Sequence, residues 1–241
     1  MKQEILAIIP ARGSHDDVDH MNIRTLGGKP LLCYTIRAAQ QSEQISRIIV
    51  STDDEKIRDI SVSSGVEVPF LRPKNLCNDT HTIRDVILHV ISELYTLERY
   101  SCDRVVVLLP NTPFKSPADI DSMVEEMNTG GYDSIIPLCR KTELFWKREG
   151  DHISPINFKI RGKRSDAEQV FEEKGGIYVY DVQHLVHMDD ILKLGKKIGF
   201  HIIEEHNAQT IHTMYDFFIF ERLIKLPGQL IREIMKTEHL M

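Results

Sequence analysis

The sequence predicts an α/β fold with a doubly wound, mostly parallel sheet and a small protruding arm. Five short apolar, β-branched runs alternate with amphipathic stretches. Near-continuous hydrophobic runs of this kind are typical of parallel strands that are buried on both faces. Because alternating strands and helices build a doubly wound sheet, ligands are expected beyond the carboxyl ends of the strands. The predicted strands are residues 5–11, 47–52, 66–71, 104–110 and 134–139.

Amphipathic stretches connect these runs, and their spacing predicts helices. We expect Asp53, Thr80 and the Ser116–Pro117 pair to begin three of them, since such residues are favoured at helix N-termini. The predicted helices are residues 30–41, 54–65, 82–100 and 117–131, with a terminal helical region from about Met214. Two later runs, 175–181 and 197–205, are predicted strands.

The ends of the predicted strands bring several polar segments to one edge of the sheet. Parallel strands end at the same edge, so the residues that follow them are expected around one crevice. These segments are Pro10–Gly13, Ser51–Asp54, Arg72 and Pro110–Lys115.

Length and composition describe a single large domain of residues 1–241. A net charge of -6 argues against nucleic acid or an anionic membrane as the partner. No apolar run approaches the roughly 20 residues that span a bilayer, and the first strand is too short a run for a signal peptide. Four cysteines form no CxxC pair and are expected to be reduced in a cytoplasmic protein: Cys33, Cys77, Cys102 and Cys139.

Residues 140–172 break the alternation and are interpreted as an inserted, β-rich arm. The segment is highly charged and holds the only tryptophan, Trp146. Its apolar side chains need cover, which either a partner subunit or the chain's own domain would supply. The arm is therefore a candidate dimerisation element, with both alternatives open. These apolar residues are Phe145, Trp146, Ile153, Ile156 and Phe158.

Six stretches of the chain, in order, resemble the cytidylyltransferases that make CMP-activated sialic acid and related nonulosonic acids. The stretches are IPARG with NI and GGKPLLCYTI, STDDEKI, RPKNLCNDT, VLLPNTPFKSPADID, RSDAEQVFEEKGGIYVYD and TIHTMYDF. The resemblance covers nearly the whole chain and implies a nucleotide-diphospho-sugar transferase-like fold. It also implies that a hydroxyl of an acidic sugar attacks the α-phosphorus of CTP and that pyrophosphate leaves, with Mg²⁺ as cofactor. Such chemistry depends on in-line positioning and charge neutralisation. A homodimer, with the arm as its contact, is the expected assembly.

The resemblance also implies site residues. Arg12 would stabilise charge on the phosphates, while Lys115, Arg164 and Lys174 would face the acidic sugar. Asp79 and Thr80 have a second interpretation, as the cap of the following helix. The implied nucleotide contacts are Ala11, Arg12, Gly13, Asn22, Arg72, Asp79 and Thr80. The implied substrate contacts are Thr112, Lys115, Arg164, Lys174 and Gly175.

The sequence departs from the family pattern at positions that handle charge. Two lysine positions of the first loop hold Asp16 and Met21, and Lys115 keeps a charge but not the arginine fork. The two metal-binding carboxylate positions hold Thr210 and His212. Because Mg²⁺ prefers oxygen ligands, histidine is a poor replacement, and the implied Mg²⁺ is in doubt.

The first loop adds a possible metal site, and the function stays open between three alternatives. Residues His15, Asp16, Asp17, Asp19 and His20 would either bind a divalent ion or form a solvated acidic loop. The chain is an active cytidylyltransferase for a sialic acid-like sugar, a relative with another sugar or nucleotide, or an inactive descendant that binds a ligand or partner.

Overall fold

The computed structural model describes residues 3–14, 20–78, 81–159, 167–187 and 194–226. The candidate residues Asp79, Thr80 and Arg164, and the loop residues 15–19, lie outside these ranges. The strands are β1 (Ile5–Pro10), β2 (Thr25–Leu26), β3 (Lys29–Pro30), β4 (Arg47–Ser51), β5 (Arg104–Leu108), β6 (Ser134–Lys141), β7 (Trp146–Glu149), β8 (His152–Pro155), β9 (Val170–Glu173), β10 (Ile177–Asp181) and β11 (Ile198–Ile202). The helices are α1 (Leu31–Gln41), α2 (Glu55–Ser63), α3 (Ile83–Glu98), α4 (Pro117–Gly130), α5 (Val182–His187), α6 (Glu205–Ala208) and α7 (Met214–Ile224).

The central sheet has the order β11-β6-β10-β5-β1-β4, and β9 pairs with the end of β6. Strand β1 is parallel to both β4 and β5, and β11 is parallel to β6. Strand β10 runs antiparallel to both β5 and β6, and β9 is antiparallel to β6. These pairings leave five of the seven strands pointing in one direction. The predicted α/β fold with a mostly parallel sheet is therefore confirmed.

The sheet is buried on both faces, as the near-continuous apolar runs predict. Along β1, Ile5, Ala7 and Ile9 pack into one hydrophobic cluster, and Leu6 and Ile8 pack into a second cluster on the opposite face. Full burial of a side chain of this size contributes about 1.5–3 kcal/mol. The central strands thus hold the carboxyl end of the sheet rigidly in place.

The predicted strand at residues 66–71 is wrong. Only Glu67 bridges to the sheet, at Ile49, and the regular ladder does not continue. Pro69 explains the interruption, because proline has no N–H to donate to a neighbouring strand. The chain instead crosses the end of β4 and delivers Arg72, whose backbone N–H donates to Thr52 O at 2.7 Å.

Two predicted helix starts also need correction. Asp54, and not Asp53, caps α2, since its carboxylate accepts from the backbone N–H groups of the first turn. Helix α3 begins after Thr82 and not at Thr80, because Thr82 and Asp85 form a reciprocal capping box. The start at Ser116–Pro117 is confirmed, with the Ser116 hydroxyl accepting from Ala118 N.

Residues 140–172 contribute the end of β6, a separate hairpin of β7 and β8, and strand β9. The Trp146 ring packs edge-on against Phe158, with ring centroids 5.0 Å apart. By contrast, Ile153 and Ile156 are 65% and 54% exposed. The chain's own domain therefore covers only part of the apolar surface of this segment.

An ionic cluster joins edge strand β11 to helix α4. His201 Nδ1 lies 2.8 Å from Glu126 Oε1, and its Nε2 lies 3.7 Å from Asp119 Oδ1. The carboxylates of Asp119 and, to a lesser degree, Glu126 raise the pKa of His201, because they favour its charged form. Within the described ranges, no helix combines the length and apolar character that a membrane crossing requires.

Candidate active site

A cavity of about 320 Å³ opens at the carboxyl ends of β1, β4 and β5. This is the position at which the strand order predicts a ligand crevice. Arg12 and Asn22 line it after β1, and Arg72 lines it beyond β4. The segment Leu109–Asn111 after β5 forms another wall, and Thr82–Ile83 at the start of α3 closes the far side.

The first loop is held against the end of β4 by backbone contacts. Ala11 N donates to Ser51 O at 2.9 Å, and Gly13 N donates to Asp53 Oδ1 at 2.9 Å. A Cβ added at Gly13 would lie 2.9 Å from Asp54 Cβ, so only glycine fits this approach. Ala11 and Gly13 thus shape the loop through their backbones. The loop residues 15–19 that carry the proposed metal site lie outside the described residues.

Asn22 and Arg12 form one unit of the cavity wall. The Asn22 side chain is 3% exposed, and its Nδ2 donates to the backbone carbonyl of Arg12 at 2.8 Å. This bond fixes the backbone from which the Arg12 side chain extends along the cavity. The structure therefore brings together two of the residues that the sequence predicts for nucleotide binding.

Arg72 is a buried cation beside the same cavity. It is 6% exposed, its Nε donates to Ser51 Oγ at 3.2 Å, and its Nη2 donates to Ser51 O. Burial lowers the pKa of Arg72, and the nearby Arg12 acts in the same direction, although a guanidinium stays protonated in proteins. Arg12 and Arg72 thus bring two positive charges to the wall of one cavity.

Several cavity residues were not predicted as site residues. Asp53 was predicted to begin a helix, but its carboxylate accepts from Gly13 N. Asp53 thus holds the first loop from outside the cavity, whereas Cys77, His81 and Asn111 line the cavity itself. Burial raises the pKa of the Cys77 thiol, although Arg72 beside it favours the thiolate. The RPKNLCNDT stretch indicates this region, which includes a 3-10 helix at Lys74–Cys77, but no periodic pattern shows which of its side chains face the cavity.

The turn from Leu109 to Thr112 connects three parts of the site. Leu109 N donates to Gly176 O at 2.9 Å at the start of β10. Ile211 N donates to Asn111 O at 2.8 Å, which joins the segment after α6 to the same turn. Movement of this turn would therefore change the cavity wall and both neighbouring segments together.

Thr112 and Lys115 do not face the cavity, which corrects the expectation that they contact an acidic sugar. Thr112 is fully buried, and its Oγ1 has no hydrogen-bond partner within the described part of the chain. Lys115 is 4% exposed, and its Nζ donates to Thr35 Oγ1 at 3.0 Å, to Leu109 O at 2.8 Å and to Thr112 O. Burial lowers the pKa of Lys115 to about 7. Both side chains therefore lie behind the turn of residues 109–112 and not in the cavity that this turn lines.

Lys174 and Gly175 lie beyond the turn, at the join of β9 and β10. Lys174 Nζ donates to Glu205 Oε1 at 3.0 Å, so its charge is already paired. Gly175 has φ +133°, and a Cβ there would lie 2.9 Å from Ile203 Cδ1. The expected anion-binding role of Lys174 therefore competes with an ion pair to α6.

A second cavity of about 380 Å³ adjoins the first, and the two share Ile83 and Leu109. Glu173, Tyr178 and Tyr180 supply its polar groups. Burial raises the pKa of Tyr178, and a hydrogen bond to Glu173 acts in the same direction. The second cavity thus places one carboxylate and two phenol groups beside the first cavity.

Thr210 and His212, which stand at the family's two Mg²⁺-binding positions, do not form an oxygen-rich site. The Thr210 hydroxyl donates to Ala208 O at 3.1 Å, and His212 is exposed. The nearby Asp216 carboxylate accepts from His212 N, Thr213 N and Thr213 Oγ1 as the cap of α7. Across the described ranges, no three His, Cys, Asp or Glu side chains come together in a way that could hold a metal ion.

The family model described as Cytidylyltransferase matches residues 6–216 of this chain. The chain belongs to the cytidylyltransferase family. A CMP-N,N'-diacetyllegionaminic acid synthase of Legionella pneumophila is 34% identical over 190 residues, which are 76% of this chain and 80% of that protein. A pseudaminic acid cytidylyltransferase of Campylobacter jejuni is 34% identical over 179 residues, 72% of this chain and 76% of that protein.

Comparison with solved structures supports the same fold. A CMP:2-keto-3-deoxy-manno-octonic acid synthetase complexed with CTP superposes with a TM-score of 0.69 at 15% identity. The match covers 92% of this chain and 98% of that chain. The sheet and its flanking helices thus have the nucleotide-diphospho-sugar transferase-like arrangement that the motifs imply.

Proposed function

We propose that this chain transfers CMP from CTP to a sialic acid-like nonulosonic acid and releases pyrophosphate. The observation that carries the proposal is the first cavity, where Arg12, Asn22 and Arg72 meet at the carboxyl end of the sheet. The cytidylyltransferase family and the activities named for the similar proteins support the choice of nucleotide and sugar class.

In the proposed reaction, a hydroxyl oxygen of the sugar acid forms a bond to the α-phosphorus of CTP. The bond from that phosphorus to the bridging oxygen breaks, pyrophosphate leaves with the electron pair, and the hydroxyl proton passes to solvent. Arg12 neutralises charge that develops on the phosphate oxygens, because a guanidinium pairs well with phosphate. Asn22 holds the backbone of Arg12, and Arg72 seats the nucleoside end.

The second cavity is the proposed position of the acceptor sugar. It adjoins the first through Leu109, so a hydroxyl of a molecule bound there lies next to a nucleotide in the first cavity. Glu173 can accept hydrogen bonds from sugar hydroxyls, and the rings of Tyr178 and Tyr180 supply apolar walls. Lys174 and Gly175 directly follow Glu173 in the chain, and a contact of these two residues with the sugar acid is part of the proposal.

No reaction step is assigned to Mg²⁺, because Thr210 and His212 do not supply the ligands that it prefers. The proposed charge neutralisation on the phosphate oxygens rests on Arg12. A requirement for Mg²⁺ or Mn²⁺ is decided by assay with each ion and with a chelator.

The proposed assembly is a homodimer of single-domain chains, residues 1–241, in which the arm at 140–172 contacts a second copy. The exposed Ile153 and Ile156 support this assembly, because a partner would bury them. Sedimentation velocity measures the mass, and Ile153→Asp with Ile156→Asp is expected to give monomers. A cytoplasmic location is also proposed, since all four cysteines are free.

The proposed activity is tested by pyrophosphate release. The purified chain is incubated with CTP, and separately with the other NTPs, across several nonulosonic acids. We expect release only when both a nucleotide and a sugar acid are present. Turnover with a nucleotide other than CTP would indicate altered specificity. A folded protein that binds CTP without turnover would indicate the inactive, ligand-binding alternative, which the altered positions Lys115, Thr210 and His212 favour.

A further inference from the structure

Lys115 lies just before helix α4, and its ammonium group is enclosed by the protein. The side chain is 4% exposed and reaches between α1 and the turn of residues 109–112. Its Nζ lies 2.8 Å from Leu109 O and 3.0 Å from Thr35 Oγ1, and it also donates to Thr112 O. Two of its three acceptors are therefore backbone carbonyls at the two ends of one turn.

That turn shapes the first cavity from Leu109 to Asn111. Backbone bonds also tie it to Gly176 and Ile211, one at each end. Without the lysine, the Thr112 carbonyl would lose its Lys115 donor in the protein interior, and the Leu109 carbonyl would keep only a long bond of 3.4 Å from Thr112 N. Each unpaired buried polar group costs about 1–3 kcal/mol, so the turn would move to find other partners.

We propose that Lys115 is a positioning residue that fixes the turn of residues 109–112 and thereby gives the nucleotide cavity a single shape. The identity of the ligand rests on the proposed function, but the contacts themselves do not. The sequence suggests that the ammonium group of Lys115 binds an acidic sugar, but in the structure it binds the backbone of the turn instead.

The three contacts of Lys115 Nζ with Leu109 O, Thr112 O and Thr35 Oγ1 are called the clamp below. The clamp does not depend on which protonation state Lys115 adopts. A neutral amine keeps two N–H donors for the carbonyls of Leu109 and Thr112, and its lone pair accepts the Thr35 hydroxyl. Burial lowers the pKa of Lys115 to about 7, so both forms are present near neutral pH. The clamp is therefore expected to persist from acidic to basic pH and to be lost only when the amine is removed.

The test compares Lys115→Met with Thr35→Val. The first change removes all three contacts at similar length, whereas the second removes only the contact outside the turn. CTP binding is measured by calorimetry, and hydrogen exchange is measured at the amides of Leu109 and Ile211, whose acceptors are Gly176 O and Asn111 O. For Lys115→Met we expect about tenfold weaker CTP binding, equivalent to about 1.4 kcal/mol, and about tenfold faster exchange at both amides.

Thr35→Val controls for a general loss of stability in the same part of the core. It is expected to lower the midpoint of unfolding but to leave CTP affinity within about twofold. Equal effects of the two substitutions on CTP affinity and on exchange would overturn the proposal. So would unchanged exchange at Leu109 and Ile211 in Lys115→Met.

The exchange measurement also separates this proposal from the proposed function. If the wild-type chain binds no CTP, the proposed function fails, while exchange at Leu109 and Ile211 still decides the clamp. If Lys115→Met does not fold, the exchange rates of the Leu109 and Ile211 amides in the wild-type chain test the proposal. The clamp predicts that both amides exchange nearly as slowly as Val106 in β5, and rates about 100-fold faster would refute it.

Discussion

Replacement of Arg72 by methionine is predicted to separate ligand binding from stability. The side chain is 6% exposed and makes two hydrogen bonds to Ser51. Methionine fills a similar volume and removes a cation whose burial is unfavourable. Because the recovered desolvation offsets the lost bonds, we expect the free energy of unfolding to change by less than about 2 kcal/mol.

The expected effect on nucleotide binding is larger. A hydrogen bond to a charged group contributes about 1.5–3 kcal/mol, so loss of the contact from Arg72 raises the Kd for CTP by about 10- to 100-fold. Arg72→Lys keeps the charge but loses the planar guanidinium, and its Kd for CTP is expected to lie between those of wild type and Arg72→Met. Calorimetric titration with CTP measures the Kd, and urea unfolding measures stability.

Arg47→Met is the matched control for Arg72→Met. Arg47 is also a largely buried arginine, with a side chain 15% exposed, but it pairs with Glu67 and Glu98 at the opposite end of β4. It is expected to lower stability without a change in CTP affinity. The reasoning is refuted if Arg72→Met binds CTP within about twofold of wild type, or if Arg47→Met weakens binding equally.

Three further predictions concern other parts of the structure. Gly176→Ala places a Cβ 2.6 Å from Thr112 Oγ1 at φ +63°, so urea unfolding is expected to show a free energy of unfolding that is about 2–4 kcal/mol lower. Adding Thr112→Ala to this variant is expected to recover about 1 kcal/mol. If the effects of the two substitutions simply add, the reasoning about the clash is contradicted. Because the pKa of His201 is raised in the folded protein, its stabilising contribution is complete below its unfolded pKa and is lost as pH rises through the folded pKa. The fall in Tm from pH 6 to pH 8 is therefore expected to be smaller in His201→Asn than in wild type. An equal fall in the two proteins would show that this ionic cluster does not contribute to stability. CTP at ten times its Kd is expected to slow alkylation of Cys77 about tenfold, as mass spectrometry with a Cys77→Ser control would show, and an unprotected thiol would place the nucleotide elsewhere.

Much of the fold could be predicted because the sheet is buried on both faces. Continuous apolar runs identify β1, β4, β5 and β6, and helical spacing identifies the helices between them. The failure at residues 66–71 came from Pro69, which ends hydrogen bonding in a run that is otherwise apolar. The helix starts shifted by one or two residues because Asp53 and Asp54, or Thr80 and Thr82, offer equivalent capping groups in sequence.

The candidate site could be predicted less completely. Arg12 and Arg72 follow strands directly, so the carboxyl-end rule places them at the cavity. Lys115 lies farther along an irregular turn, and the direction of its side chain depends on which carbonyls the folded backbone presents. Lys174 pairs with Glu205, and such a long-range contact has no local signal. Cys77 ends a 3-10 helix and His81 precedes α3, and neither position belongs to a periodic pattern that would show which way its side chain points.

The most direct measurement of the central claim is formation of a CMP-linked sugar acid, followed by mass spectrometry, in wild type and in Arg12→Met. We expect the wild-type chain to form the product from CTP and a nonulosonic acid. Loss of the guanidinium is expected to lower kcat/KM at least about 100-fold, with the fold retained. Absence of product from the wild-type chain, or equal activity in the two proteins, would contradict the account.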